Sequence, residues 1–319
     1  MASSATRMVT GIVALVLCIA APLSAQIENQ LGAYTGKNAE GYLQPLADAL
    51  GADFNSGVFH GASIPRLGIG VRLEIMAMGA IFGDDARTFK AVTEGDFTPV
   101  QYADAPTIVG DEHAVFVDGD GGTSYAFPGG FNLHSFAIAA PQLRIGSVFG
   151  TQAIIRYFAL NAGGGDDEGD GADEDLGKIS LFGFGLQHNV SQHLGAMLPL
   201  DVSVGFMWQS FNLGENKKGD HLISSHAFSI GVQASKRFAR FFMPYGGLTY
   251  DTFSMDVSYE SSAEDDEDPV DIDVNFDKSS TMHLTLGFMI DLPVVNGFIE
   301  YNVASQNSIA FGTSFGYGL

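Results

Sequence analysis

Five charged residues stand where the sequence leaves little room for charge. Arg66, Arg72, Glu74, Arg144 and Arg156 fall inside stretches in which every second residue is apolar, and all five share the parity of the small and polar neighbours. Arginines gathered on one wall of a water-filled interior would guide an anionic head group such as a carboxylate. The other reading is a ladder of ion pairs with Glu74 that keeps that wall wet. A second chemistry is offered by two carboxylate runs, Asp166–Asp175 and Glu264–Asp273, each holding seven acids. Asp166, Asp167 and Asp173 in the first and Asp265, Asp266 and Asp268 in the second could present oxygens to Ca2+ or Mg2+, as could Asp118-Gly119-Asp120. Neither run has the D-x-D-x-D-G spacing of an EF-hand. Glycine-rich acidic runs are also what solvated loops are made of, so no metal site is assigned.

Four of the eight histidines fall in two groups, His188 with His193 and His221 with His226, around connections expected at opposite ends of the strands. That separation argues against one shared metal site. Asn132, His134 and Ser135 include the residue types of an acyl-transfer hydrolase, but sequence neighbours need not converge. The chain is therefore read as a non-enzyme without a cofactor, and an outer-membrane hydrolase is the weakest of the three functional readings.

Strands must position these residues. From Ile309 to Leu319 every odd position is apolar, aromatic or Thr, and every even position from Ser308 to Gly318 is small. Side chains alternate across a strand, so this stretch has one large apolar face and one small face. A water-soluble protein rarely leaves such an edge open, whereas lipid covers the apolar face of a closed barrel. The same period of two recurs at Leu67–Ala77, Leu143–Phe149, Ala153–Tyr157, Leu200–Trp208, Phe228–Ala234, Leu284–Ile290 and Ile299–Val303. In each the opposite face carries residues such as Arg72, Glu74, Gln142, Arg144, Gln209, Gln233, His283 and Glu300.

Composition agrees. The 319 residues include 40 glycines, 25 phenylalanines and one tryptophan, and only 16% are charged. The long apolar run Met8–Leu23 follows Arg7 and precedes Ser24-Ala25, which reads as a secretory signal over residues 1–25. The sole cysteine, Cys18, lies within it, so disulfides and thiolate sites are excluded from the remainder. The net charge of −22 makes nucleic acid an unsuitable partner. Residues 26–53 differ from the rest: Tyr42, Leu43, Leu46, Ala49 and Leu50 recur at helical spacing, Pro45 suits a first turn and Gly51 suits a stop. A helix over about 38–50 would serve as a lumenal plug or a periplasmic tether.

The fold expected is all-β: a transmembrane antiparallel β-barrel over 54–319, of about twelve strands within a range of ten to fourteen, preceded by that helix. Ten strands are clear from 66 onward, with a further candidate at 54–62; since a closed antiparallel barrel needs an even number, either 54–62 belongs to the plug or one more strand lies in 27–37 or 83–133. Counting sides back from a periplasmic C-terminus puts both carboxylate runs and the long 83–133 segment at one end and the short turns at the other, the usual asymmetry of such barrels.

The sequence also resembles a known family. Tyr42-Leu43-Gln44-Pro45, Gly51, Asn55-Ser56-Gly57 and Pro65-Arg66-Leu67-Gly68 look like the start of an uncharacterised bacterial outer-membrane barrel family. Phe149-Gly150-Thr151-Gln152 leading to Arg156-Tyr157, and Gly185-Leu186-Gln187-His188 followed by Pro199-Leu200-Asp201, continue the likeness. That family is similar in plan to long-chain fatty-acid transport barrels, so the resemblance implies a lumenal plug and uptake of hydrophobic compounds. The last strand resembles the C-terminal insertion signal read by the barrel-assembly machinery, with Leu319 in place of the usual aromatic. The expected function is passive uptake or binding of small hydrophobic or amphiphilic molecules in the outer membrane, with outer-membrane lipid and such a ligand as partners. A structural or adhesive barrel with acidic surface loops is the alternative.

Overall fold

The structure, a computed structural model, describes residues 34–161, 178–194, 198–214, 222–238, 241–260 and 271–317. The expected signal segment and the terminal Gly318 and Leu319 lie outside the described residues. In chain order, helix α1 (Gly36–Asn55) precedes β1 (Leu67–Ile81), the short strands β2 (Thr88–Val92), β3 (Tyr102–Pro106), β4 (Val115–Asp118) and β5 (Ser124–Phe127), and then β6 (Ser135–Val148). The remaining strands are β7 (Thr151–Asn161), β8 (Lys178–Asn189), β9 (Asp201–Leu213), β10 (Ile223–Ser235), β11 (Phe242–Glu260), β12 (Asp271–Asp291), β13 (Val295–Val303) and β14 (Ser308–Tyr317).

Ten of these strands, β1 and β6–β14, close into one antiparallel barrel in which β1 pairs with both β14 and β6. The count is the lower end of the expected range rather than its centre of twelve. Two segments offered as possible wall strands are not part of the wall, for physical reasons. Residues 54–62 are not a wall strand, because α1 ends at Asn55 and the chain beyond it stays buried inside the barrel. Residues 83–133 supply β2–β3 and β4–β5, two hairpins of four- and five-residue strands, too short to cross a bilayer that needs roughly nine residues per strand.

The alternation read from sequence is the alternation between lipid and lumen. On β14, Phe311 is 55% exposed on the outer surface and its neighbour Ala310 is fully buried inside. On β1, Val71 and Leu73 face out while Arg72, Glu74, Met76 and Met78 are buried inside. Leu284, Leu286 and Phe288 continue the apolar exterior on β12. At the inner end β6 and β7 are joined through Phe149 and Gly150, both with positive φ (50° and 75°), the two-residue geometry whose twist matches that of the flanking strands.

The lumen is filled by the N-terminal segment. Helix α1 packs on β1, β10, β11 and β12, which decides for a plug over a tether, and the buried stretch runs on through Ile64, beyond the expected limit at residue 53. Pro45 lies well inside the helix rather than in its first turn, which costs about 3 kcal/mol. Burial of Tyr42, Leu43, Leu46, Leu50 and Phe54, at roughly 1.5–3 kcal/mol each, outweighs that cost. Over the outer end sits a cap made of the two hairpins. Val92 exchanges two hydrogen bonds with the Asn38 side chain (2.7 and 3.1 Å), the Ile108 amide donates to Tyr42 O (3.0 Å), and the Tyr42 hydroxyl donates to Gly129 O (3.1 Å).

The lipid-facing assignment has a direct test. Phe311→Arg should lower unfolding stability in phospholipid vesicles by about 2–4 kcal/mol, whereas Val100→Arg on the exposed cap should change it by no more than about 0.5 kcal/mol. Equal effects would contradict the lipid-facing belt.

Candidate functional site

The polar site is the place where the barrel wall holds the plug. A helix ends with carbonyls that lack intrahelical partners and with partial negative charge, and a cation satisfies both needs. Arg156 on β7 supplies it. Fully buried, it donates to Phe54 O at 3.0 Å, Ser56 O at 3.2 Å and Gly57 O at 3.3 Å. It also donates to the Gln142 and Gln209 side-chain oxygens at 3.1 and 2.9 Å. Gln209 itself donates to Phe54 O at 2.6 Å, and Arg144 on β6 donates to Val58 O at 2.6 Å. Further along, Gln187 donates to Gly61 O (2.8 Å), while the Gly57 and Ala62 amides donate to Glu300 (2.8 Å) and Ser235 (2.9 Å). The wall thus grips the main chain of the plug from Phe54 to Ala62. Gly205 belongs to the same fit, since a Cβ there would lie 2.7 Å from the Phe59 ring. Ile154, the apolar residue on the polar face of β7, packs with Val58, Phe59 and Met207.

Of the five residues singled out from sequence, Glu74, Arg144 and Arg156 meet in this network and Arg72 lies beside it. Glu74 accepts from Arg144 Nε (2.9 and 3.0 Å) and from Gln142 (2.7 Å), and His60 Nε2 lies 3.3 Å from it. Arg72 is buried next to Arg144 across the β1–β6 pairing. Arg66 is a correction: it precedes β1, its side chain is exposed, and its carbonyl accepts from the Gly150 amide at 2.9 Å. The six loop carboxylates Asp166, Asp167, Asp173, Asp265, Asp266 and Asp268 lie outside the described residues. His188 and His193 meet at the inner rim (Nε2 to Nε2, 3.1 Å), far along the wall from His226, which stacks on Trp208. The Asn132 side chain accepts from Arg87, at the end of the cap.

A family model matches residues 5–317. The chain belongs to DUF6588, a family of unknown function. Among curated proteins none matches it. Among solved structures it is similar to the outer membrane protease OmpT from Escherichia coli, with 10% identity, 81% of this chain and 98% of that chain covered, and a TM-score of 0.33. It is also similar to the β domain of the Bordetella autotransporter BrkA (10% identity, 78% and 99% covered, TM-score 0.35). A third is the Ralstonia pickettii toluene transporter TbuX (9% identity, 81% and 92% covered, TM-score 0.26). Likeness at this level assigns no activity.

The DUF6588 barrel has a second buried polar cluster, against the other side of the plug. Asp251 on β11 accepts from Ser229 (2.6 Å) with one oxygen, and its other oxygen lies 2.6 Å from His283 Nδ1 on β12. A cavity of about 40 Å³ adjoins it, lined by Asp48, Asn55, Asp251, His283, Asn302 and Ser308. Two larger cavities lie at the ends of the plug. The outer one, about 440 Å³, is bounded by Gln44, Asp48, Asp85, Phe89 and Gln306. The inner one, about 220 Å³, is bounded by His60, Arg72, Glu74, Arg144, Arg237 and Asp291. Between them residues 46–58 are buried except for Asp48 and the half-buried Ala52. Sequence reading missed as site residues His60, Asp251 and the buried Tyr245, whose hydroxyl donates to Glu300 at 2.8 Å. His60 was hidden in a stretch read as a candidate strand. For Asp251 the signal was present, since it shares the inward parity of Thr249 and Phe253.

The latch can be read by hydrogen exchange. Arg156→Met leaves the Phe54, Ser56 and Gly57 carbonyls without their cation, and should lower the opening free energy of amides in 54–62 by at least ~2 kcal/mol while the barrel strands stay protected. In a double-mutant cycle Glu74→Gln and Arg144→Met should couple by about 0.5–3 kcal/mol.

Proposed function

We propose that this barrel resides in the bacterial outer membrane, exported through its N-terminal segment and inserted by assembly machinery that contacts β14. There it binds small hydrophobic or amphiphilic molecules and admits them when the plug is released. The observation that carries this reading is the division of the lumen into two halves. In the outer half, Met76, Met78, Ala140, Leu181, Ala227, Phe253 and Met255 present a buried apolar wall to α1. In the inner half, Arg144, Gln187, Ser235 and Glu300 present polar groups that hold main-chain atoms, while Glu74 and Gln142 brace Arg144 and Arg156. An apolar body and a polar head therefore have separate places along the barrel axis. The outer cavity is the point of capture. Arg144 and Arg156 now donate to plug carbonyls, and the same donors would accept a carboxylate head when the plug withdraws, since charged donor–acceptor pairs are stronger than those to neutral carbonyls.

Planar-bilayer recording and native mass spectrometry test the reading together. The native barrel should be sealed, and the Arg144→Ala/Arg156→Ala double variant, its folding checked by heat-dependent gel mobility, should open in discrete steps. Dodecanoic acid should bind the native protein more tightly than dodecanol and lose that preference in the double variant. A barrel that binds neither compound and stays sealed in both forms would exclude uptake.

A further inference from the structure

One seam of the barrel is only half closed. The ladder between β6 and β7 runs from Val148–Thr151 outward to Gln142–Arg156 and stops there. Both strands continue, β6 back to Ser135 and β7 on to Asn161, but among the described residues no backbone pairing joins Ser135–Pro141 to Tyr157–Asn161. Each keeps its other neighbour: β6 pairs with β1 as far as Ser135–Ile81, and β7 pairs with β8 as far as Asn161–Lys178. The residue just past the last pair is Pro141, which has no N–H to offer a ladder and belongs on a strand edge.

The parting lies at the depth of the lipid belt. Register pairs Ala139 with Ala77, which pairs in turn with Phe311, and Ala137 with Gly79, which pairs with Ile309, and Phe311 and Ile309 are outward-facing apolar residues. Backbone groups left unpaired at that depth cost several kcal/mol each unless something occupies the seam. Its outer surface carries the small side chains of Ala137 and Ala139 on β6 and, on β7, Ala159 above the exposed Tyr157 at the base of the seam. Behind it the lumen is apolar: Phe136, Ile138 and Phe158 pack on the core that surrounds the plug.

We propose that the outer half of the β6–β7 seam is a lateral port through which the acyl chain of a single-chain amphiphile exchanges between the lumen and the surrounding lipid. The inference rests on the uptake reading above and adds the route. The chain slides between the small outward residues onto Ile138 and Phe158 while its head group stays at the polar surface.

The test closes the seam. Continuing the register puts Ala139 opposite Ala159, so Ala139→Cys/Ala159→Cys in a Cys18→Ser background can be locked by oxidation and released by reduction. A lipid-facing pair on a fully zipped seam, Tyr301→Cys/Ile309→Cys, is the control. The probe is dodecanoic acid bearing a diazirine, dissolved in the lipid of nanodiscs that hold the barrel, and mass spectrometry reads the residues labelled on illumination. With the seam free, adducts should appear on inward-facing Phe136, Ile138 and Phe158. Locking the seam should cut them about tenfold, as gating of an entry step does, without changing adducts on Phe311 or the control protein. Pro141→Val, which restores an N–H, should act in the same direction without any cross-link. Inward adducts of equal yield in locked and free protein would overturn the port and leave uptake standing, through the outer mouth. Absence of inward adducts in the free protein would overturn both.

Discussion

A buried guanidinium fixes the arrangement of everything else. Moving Arg156 out of water is costly unless its donors are satisfied, and the wall offers it the side-chain oxygens of Gln142 and Gln209 and the weakly accepting sulfur of Met76. The carbonyls that complete its shell come from the turn where α1 ends. Neither the plug nor this arginine is stable in its place without the other. The opposite end of the helix is treated in the complementary way. Thr35 makes no side-chain cap, and its amide donates instead to Glu94 of the cap region at 3.0 Å, so an anion faces the positive end of the dipole and a cation the negative end.

The architecture was legible in the sequence because a barrel wall obeys a period of two over most of its length, and lipid on one side enforces that period with apolar residues. The parity of Arg72, Glu74, Arg144 and Arg156 was legible for the same reason. The pairing of Arg144 with Glu74 was among the readings offered, but the hold of Arg144 and Arg156 on the plug was not. Their partners are main-chain carbonyls of residues 54–58, and a carbonyl is the same in every residue, so no letter of the sequence announces it. The ten wall strands were legible from residue 66 onward, and of the places offered for the odd segment, Phe54 to Ala62, it takes the plug, with its apolar residues buried against the wall from within. Arg66 shared the right parity but sits before the ladder begins, where parity no longer determines direction.

A wide interior filled by a helix solves a packing problem that a ten-stranded wall cannot solve alone. Inward side chains of a barrel this size do not meet across the axis, and small ones such as Ala140, Ser229 and Ala310 leave still more space. Helix α1 occupies that space with Tyr42, Leu43, Leu50 and Phe54, and the two-part chemistry of the lumen follows from which end of the helix each wall residue meets. Apart from the Asp251–His283 cluster beside Asp48 and Asn55, apolar residues face the helical turns, whose backbone is self-satisfied, and polar residues face the last turn and the extended chain beyond Asn55, whose backbone is not.

The direction of the plug constrains how the molecule is made. Tyr34 lies against Phe89 of the cap at the outer end, while residue 67 opens the first wall strand at the inner end, so the chain ahead of the wall traverses the interior before the wall starts. A finished cylinder would have to be threaded by its own leading segment, past the buried arginine and under the cap. If instead the sheet curls around a segment already in place, the joining of β1 to β14 becomes the last event, and insertion and sealing occur in a single movement.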